Sequence, residues 1–415
     1  MSDFQQTSRV ATLHDLGDRP ICALIEEITR FSQSRPIALV IPCLGQEIGT
    51  PTFERILGVV GRLPYINEVV LGLNNASVDV YRQAILHCEQ LPQRARALWL
   101  DGPRISSVRS VLLPDMESVG GKGSNLWHCF GYLQGRGEAA VVAIHDADIV
   151  TYDARLLTRL VYAVADPDGP YRASKGYYAR FDDKTLHGRL TRLLISPLAE
   201  VAVQLAPASV YAELIRNLRY PLAGELAIDM KLAGELPMSI GWGVELATLA
   251  ELQQRIGDRL CQVEVAARYD HRHRPMVLNG SETSLVNMAV SVTSEFIRGL
   301  AEHAPTRELL ARGYSEAAER FLEAFGYDAR INGLRLDMSL ERKAIGCFTE
   351  IIADTRETRK GEGALPSWSE VERRCPRAAL KLVAAVDADY EDGRGSADSA
   401  RPLVATRVGF CVDRT

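Results

Sequence analysis

No two cysteines in this sequence are spaced as Cys-x-x-Cys. The eight (Cys22, Cys43, Cys88, Cys129, Cys261, Cys347, Cys375 and Cys411) are scattered along 415 residues. In a chain of this length that excludes a disulfide frame and a cysteine zinc site, and points to reduced thiols in a cytoplasm. No stretch is apolar for long enough to cross a bilayer. The start, Met1-Ser2-Asp3-Phe4-Gln5-Gln6, lacks the basic-then-apolar order of a signal peptide. No excess of positive charge is present either. The formal net charge is −5, which gives no footprint for nucleic acid or an anionic membrane, so neither is expected as a partner. Anionic ligands have to be caught by local clusters of arginine and lysine. No internal repeat is visible. What remains, 47% hydrophobic and 24% charged residues, is the composition of an ordinary globular chain with a full core.

The apolar runs give the organisation. Residues 1–35 read as a leader with one amphipathic helix, Ile21 to Phe31. Pro36–Pro42, Glu68–Leu73, Ala95–Leu100 and Val141–Ile144 read as buried strands of the parallel kind. Helical stretches at Phe53–Leu63, Val78–Gln90 and Gly123–Leu133 alternate with them. That alternation predicts an α/β fold, a doubly wound and mainly parallel sheet with ligands at the carboxyl ends of its strands. After Asp153 the pattern changes to a helix over Arg155–Ala165, an alternating antiparallel strand over Tyr171–Phe181, and a long helix over Gly188–Leu205. A helix at Leu246–Ile256, a strand at Leu260–Ala266 and a basic loop at Arg268–Pro275 follow. Residues 284–355 are largely helical, with apolar stripes that read as core or dimer contact. Asp387–Arg401, rich in Asp, Gly and Ser, reads as a mobile connection to a short strand, Leu403–Cys411.

The segment Ala143-Ile144-His145-Asp146-Ala147-Asp148 carries the most chemistry. Two carboxylates two positions apart fall where a buried strand runs out into solvent, and alternation along a strand points them the same way. Hard oxygen donors on one side suit Mg²⁺ or Mn²⁺ shared with a substrate's phosphates. The bland alternative is a pair of solvated carboxylates; their place at a strand's carboxyl end favours the functional reading.

Other motifs are weaker taken singly. Gly120-Gly121-Lys122-Gly123 opens a helix and can bring Lys122 to a phosphate, yet its spacing is not that of a Walker loop. In His187-Gly188-Arg189-Leu190-Thr191-Arg192, Arg189 and Thr191 form a pocket for a small phosphate or carboxylate. The alternative, a solvated basic first turn, conflicts mildly with the helix dipole. Pro221-Leu222-Ala223-Gly224-Glu225 and Gly241-Trp242-Gly243-Val244-Glu245 each end in a carboxylate able to grip sugar hydroxyls, or are ordinary loops. In Asp270-His271-Arg272-His273-Arg274-Pro275 one histidine can complete a metal shell and the arginines can contact a diphosphate; otherwise this is a bare charged loop.

The joint order of PCLGQE (42–47), GGKG (120–123), DAD (146–148), KGYY (175–178), GRLTRL (188–193), PLAGE (221–225), GWGVE (241–245) and DHRHRP (270–275) resembles the glucosyl-3-phosphoglycerate synthases, over roughly residues 36–290. These are retaining glycosyltransferases with the GT-A nucleotide-sugar-binding fold. The resemblance implies transfer of glucose from a nucleoside-diphosphate sugar, UDP-glucose first, to the 2-hydroxyl of 3-phosphoglycerate, with Mg²⁺ or Mn²⁺ as cofactor and a homodimer as the working form. By the same resemblance Asp148 and His271 hold the metal, and Asp148, Glu245 and Lys122 carry catalysis. Cys43, Leu44, Glu47, Asn74, Lys122, Asp146, Ala147, Trp242, Glu245 and Arg272 face the nucleotide sugar. Gly188, Arg189, Thr191, Gly224, Glu225 and His273 face the acceptor.

Two departures bear on the donor. The family carries Asn-Glu-Glu after the first strand, where this chain has Gly45-Gln46-Glu47, and Asp-Ser-Gly-Ser at the second, where it has Leu73-Asn74-Asn75-Ala76. The lost aspartate is the family's base reader, which leaves GDP-mannose and ADP-glucose as alternative donors, beside glycerate as an alternative acceptor. A nucleotidyltransferase would want a glycine-rich basic loop after the first strand, which Cys43-Leu44-Gly45-Gln46 does not supply. A non-catalytic sugar-nucleotide sensor conflicts with the joint presence of Asp148, His271 and Lys122. The expected organisation is a leader (1–35), a nucleotide-sugar-binding half (36–153), an acceptor-binding half (154–283) and a helical C-terminal region with its tail (284–415).

Overall fold

The computed structural model describes residues 6, 10–17, 19–114, 116, 120–271, 285–354 and 363–398. They form strands β1 (Ala11–Leu13), β2 (Ile37–Leu44), β3 (Ile66–Asn74), β4 (Arg94–Trp99), β5 (Val141–Ile144), β6 (Ala173–Arg180), β7 (Leu226–Asp229), β8 (Met238–Ser239), β9 (Leu260–Tyr269) and β10 (Ala364–Leu365). Eight of these make one sheet in the order β1-β9-β6-β7-β5-β2-β3-β4. Within it only β7 runs against its neighbours, β5 and β6. The remaining pairings are parallel. Strands β2, β3 and β5 are buried almost throughout, as strands with both faces covered must be. The chain winds outward from β2 through β3 to β4, then returns to place β5 on the other side of β2. That reversal is a topological switch point, where ligands bind beyond the strands' carboxyl ends.

The sequence reading holds for β2 to β5 and for the three helices expected between them, with boundaries shifted by a few residues, but it lacked a further helix, Pro103–Leu112, after β4. Four expectations need correction. The leader contributes β1, paired in parallel with β9. The strand expected at Tyr171–Phe181 is antiparallel to β7 but parallel to β9, and it is buried on both faces through Tyr178. The helix expected to begin at Gly188 starts with a π-helical turn, Leu190–Ile195, before the α-helix Ser196–Leu205. The stretch expected to be a mobile connection is helical through Asp398, the end of helix Ala378–Asp398. Ion pairs hold it: Arg96 with Asp387 (3.2 Å) and Arg104 with Asp389 (2.7 Å). Leu403–Cys411 lies outside the described residues.

Helix Gly121–Arg136, which carries Lys122 in its first turn, covers β3 and β2. The C-terminal region locks it from outside. Trp127 and Trp368 stack with ring centroids 4.4 Å apart. Each indole also donates to a backbone carbonyl, Trp127 to Pro366 (2.8 Å) and Trp368 to Trp127 (2.7 Å). Truncating Trp368 therefore leaves a large cavity and an unpaired carbonyl. Trp368→Ala is expected to cost about 3–5 kcal/mol of folding stability, read as a lower urea midpoint; a loss under about 1 kcal/mol would show that the C-terminal region does not brace this helix.

Candidate active site

The carboxyl edge of the sheet gathers loops from both sides of the switch point. After β5 the chain runs through Asp146 and Asp148 to Ile149, which forms an antiparallel bridge with His271 just beyond β9. The amide of Val150 donates to the carbonyl of Asp270 (2.7 Å), and that of Asp270 to Thr151 Oγ1 (3.1 Å). This backbone tie brings together residues more than a hundred positions apart in sequence. Asp148 Oδ1 lies 3.5 Å from His271 Nδ1. Asp146, Asp148 and His271 can each offer one ligand atom, with all three atoms within 4.8 Å of one another. Two hard oxygens and an imidazole, all partly exposed, fit a divalent cation of the Mg²⁺ or Mn²⁺ type with positions left for a diphosphate.

His145, next to this group, is structural. It is fully buried, with Nδ1 3.0 Å from the carbonyl of Asp146 and Nε2 3.0 Å from the hydroxyl of Tyr152. Burial pushes its pKa down to about 4. The neutral ring with its proton on Nδ1 satisfies both contacts and steadies the Asp-x-Asp turn.

Lys122 faces the same group from the start of its helix. Its ammonium lies 2.6 Å from Asp146 Oδ1 and 3.1 Å from Glu245 Oε1, the latter in the first turn of helix Val244–Ile256. Burial alone would lower the Lys122 pKa, but Asp146 and Glu245 outweigh it and the net shift is upward. For Asp146, burial works against ionisation, yet Lys122 holds the carboxyl below its usual range. Gly224 completes the fit. A Cβ there would lie 2.6 Å from Lys122 Nζ and 2.8 Å from Asp146 Oδ2, so only glycine leaves room for the pair.

Glu225 is buried, its carboxylate accepting from Tyr269 (2.6 Å) and Tyr178 (2.9 Å). Burial, then the nearby Asp146, pushes its pKa up. The two tyrosine rings stack at 3.6 Å and 4°. Tyr220 packs on Tyr178 at 4.8 Å, and beyond Tyr220 comes Gly188 with the Arg189 turn. There Arg189 meets Glu341 at 2.8 and 3.0 Å, while Thr191 is buried.

Of the other expected donor-side residues, Cys43 is buried with its thiol turned to the carbonyl of Ile41 (3.3 Å). The Leu44 amide donates to Glu47 (2.8 Å), so Glu47 caps its own turn. Asn74 donates to the carbonyl of Gly121 (3.1 Å), tying the end of β3 to the lysine helix. Ala147 is buried and Trp242 half-buried, just ahead of the Glu245 helix. Arg272 and His273 lie outside the described residues. The two departures noted above touch each other: a Cβ at Gly45 would lie 2.4 Å from the Asn75 carbonyl oxygen and 3.0 Å from Ala76 Cα. Asn75 takes φ +53 where the family has glycine, a conformation asparagine tolerates better than most.

Sequence reasoning gave no role to three groups here. Lys175 is buried at the level of Ile144 and Leu226 on adjacent strands, and donates to the carbonyl of Ala223. Burial lowers its pKa to about 8, against the pull of Glu245 and Glu225. A lysine inside an apolar strand was the available signal. Tyr269 and Glu341 had none, because both owe their place to contacts distant in sequence.

No family model matches the chain. Among curated proteins it is 31% identical to the glucosyl-3-phosphoglycerate synthase of Persephonella marina, over 94% of this chain and all of the relative. It is 29% identical to that of Methanococcoides burtonii, over 94% of this chain and 98% of the relative. Among solved structures, the Mycobacterium tuberculosis glucosyl-3-phosphoglycerate synthase with Mn²⁺, uridine diphosphate and glucosyl-3-phosphoglycerate matches with a TM-score of 0.52 at 21% identity, covering 70% of this chain and 88% of that one. The same enzyme with Mg²⁺ and uridine diphosphate also matches at 0.52, at 22% identity over 70% and 86%. These likenesses establish a shared fold.

Gly224→Ala should displace the Lys122–Asp146 pair while the sheet stays intact. A shift of about 1 Å at such a site costs on the order of a hundredfold in rate. The expected result is that loss in kcat/KM with an unchanged circular dichroism spectrum; near-native activity would remove Lys122 and Asp146 from the working site.

Proposed function

Because the chain belongs to the glucosyl-3-phosphoglycerate synthase family, we propose that it transfers glucose from UDP-glucose to the 2-hydroxyl of 3-phosphoglycerate and releases UDP. The observation that carries this reading is the convergence of Asp146, Asp148 and His271 with the Lys122–Glu245 pair at the sheet's switch point. A divalent cation held by Asp148 and His271, with Asp146 beside them, would supply positive charge to the leaving diphosphate.

Lys122 adds a second, fixed positive charge on the donor side. Asp146 neutralises and orients it, so it stays protonated at any working pH. Glu245 is placed to accept hydrogen bonds from sugar hydroxyls, with Trp242 just before it. Glu225 spends its carboxylate on two tyrosines and Glu245 meets Lys122, which supports retention by front-face attack. In that geometry a diphosphate oxygen takes the acceptor's proton, and positioning and charge do the catalytic work. Arg189 and Thr191 are assigned to the acceptor's anionic end, across the Tyr178–Tyr220 stack from the metal group.

The organisation follows as nucleotide-sugar half 36–153, acceptor half 154–283 and helical region 284–415. We also infer a cytoplasmic homodimer. Exposed Leu309, Tyr327 and Ile331 along helix Arg307–Ile331 support a contact between copies. No described helix is long and apolar enough to cross a membrane.

The test is UDP release and product formation from UDP-glucose, GDP-mannose and ADP-glucose, each with 3-phosphoglycerate and with glycerate, with Mg²⁺ and with EDTA. Turnover is expected with UDP-glucose and 3-phosphoglycerate and should vanish with EDTA. Preference for glycerate would reassign Arg189 to a carboxylate, and turnover with another donor would give the Gly45 and Asn75 departures to base selection.

A further inference from the structure

The turn that holds Arg189 is not built by the sheet alone. Helix Met338–Ala353 in the C-terminal region enters it and places Glu341 against two arginines. Arg189 Nε and Nη2 lie 2.8 and 3.0 Å from its two carboxylate oxygens, and Arg192 Nη2 lies 3.4 Å from one of them. Glu341 and Arg192 are nearly inaccessible, with side chains 3% and 6% exposed, whereas Arg189 is 20% exposed and so reaches solvent.

The same region ties this loop a second time through its backbone. The Leu186 amide donates to the carbonyl of Arg335 (3.2 Å), and the Arg335 amide to that of Lys184 (2.6 Å). Arg192 also lies over the Phe325 ring at 5.3 Å and donates to the carbonyl of His187 (2.7 Å). Asp182 Oδ2 and His187 Nε2, 2.9 Å apart, belong to the loop itself.

Two guanidinium groups against one carboxylate give this trio a charge of +1, which suits an anion and disfavours a neutral ligand. Two buried polar atoms at the turn, Thr191 Oγ1 and Arg192 Nη1, have no hydrogen-bond partner among the described residues. Buried polar groups are seldom left so without a ligand. A fork-to-fork carboxylate contact also fixes the plane of a guanidinium that would otherwise rotate.

We propose that Glu341 is a positioning residue of the acceptor pocket: it sets the planes of Arg189 and Arg192, so that the C-terminal helical region governs affinity for the anionic end of the acceptor. This rests on the assignment of Arg189 to the acceptor. Glu341 does not touch the reacting atoms; it acts through the two arginines. Removing its charge should weaken acceptor binding while leaving the donor side, across the tyrosine stack, as it was.

The experiment compares full-length wild type, Glu341→Gln, Glu341→Asp and Arg189→Ala by steady-state kinetics, with thermal melting of each variant. Binding of 3-phosphoglycerate is measured in parallel by calorimetry. Expected for Glu341→Gln is a rise of about tenfold in KM for 3-phosphoglycerate, the scale of one charge-assisted hydrogen bond, with KM for UDP-glucose unchanged and partial recovery in Glu341→Asp. An unchanged or lowered KM for 3-phosphoglycerate would overturn the inference, as would equal rises for donor and acceptor. If Glu341→Gln does not fold, the same split between the two KM values in Glu341→Asp decides. An unaffected acceptor KM in Arg189→Ala would overturn the assignment of Arg189 itself. A raised KM there beside a native one in Glu341→Gln would overturn only the role of Glu341.

Discussion

The ion pair between Lys122 and Asp146 is the contact on which the rest of the site depends. It joins the first turn of one helix to the loop beyond β5, and through Glu245 to the first turn of another. An ammonium taken partly out of water is tolerated only with opposite charge in contact. Lys175, close by, shows the other outcome. It meets a backbone carbonyl instead of a carboxylate, and burial takes its pKa down to about 8. Two lysines in one neighbourhood are thus sorted into a fixed charge and a group that loses its proton easily. The sorting follows from which of them touches a carboxylate.

Around that pair the polar groups are arranged in sequence across the edge of the sheet. The Asp146–Asp148–His271 group stands at one side, Glu225 with its two tyrosines in the middle, and the Arg189 turn at the other. The stack of Tyr269, Tyr178 and Tyr220 runs between them. It lies between the Asp146–Asp148–His271 group and the Arg189 turn, the two places to which donor and acceptor are assigned in the proposed function. Each side is braced by the C-terminal region, through Trp368 behind the Lys122 helix and through Glu341 behind Arg189. That region thus packs against both the Lys122 helix and the Arg189 turn.

Much of this was legible in the sequence. β2, β3 and β5 are buried on both faces, so each appears as an unbroken apolar run that no helix of similar length would need. The metal group was legible as Asp146 and Asp148 at a strand end, joined by His271 through resemblance. Other features were hidden for physical reasons. β1 is only three residues long, too short to show any period. The π-turn at Leu190–Ile195 has the composition of an ordinary helix. Asp387 and Asp389 read as solvated charges until Arg96 and Arg104 are seen to pair with them. Glu341 looked like any surface glutamate, since only the folded chain brings it to Arg189.

The most direct measurement is a titration of the full-length protein with Mn²⁺ in the presence of UDP, followed by electron paramagnetic resonance. Wild type is compared with Asp148→Asn and His271→Ala. The account predicts one bound Mn²⁺ per chain, with affinity lowered by about tenfold or more in each variant. Wild-type affinity in both variants would contradict it, because the loops at the switch point would then be gathered for something other than a metal and its diphosphate.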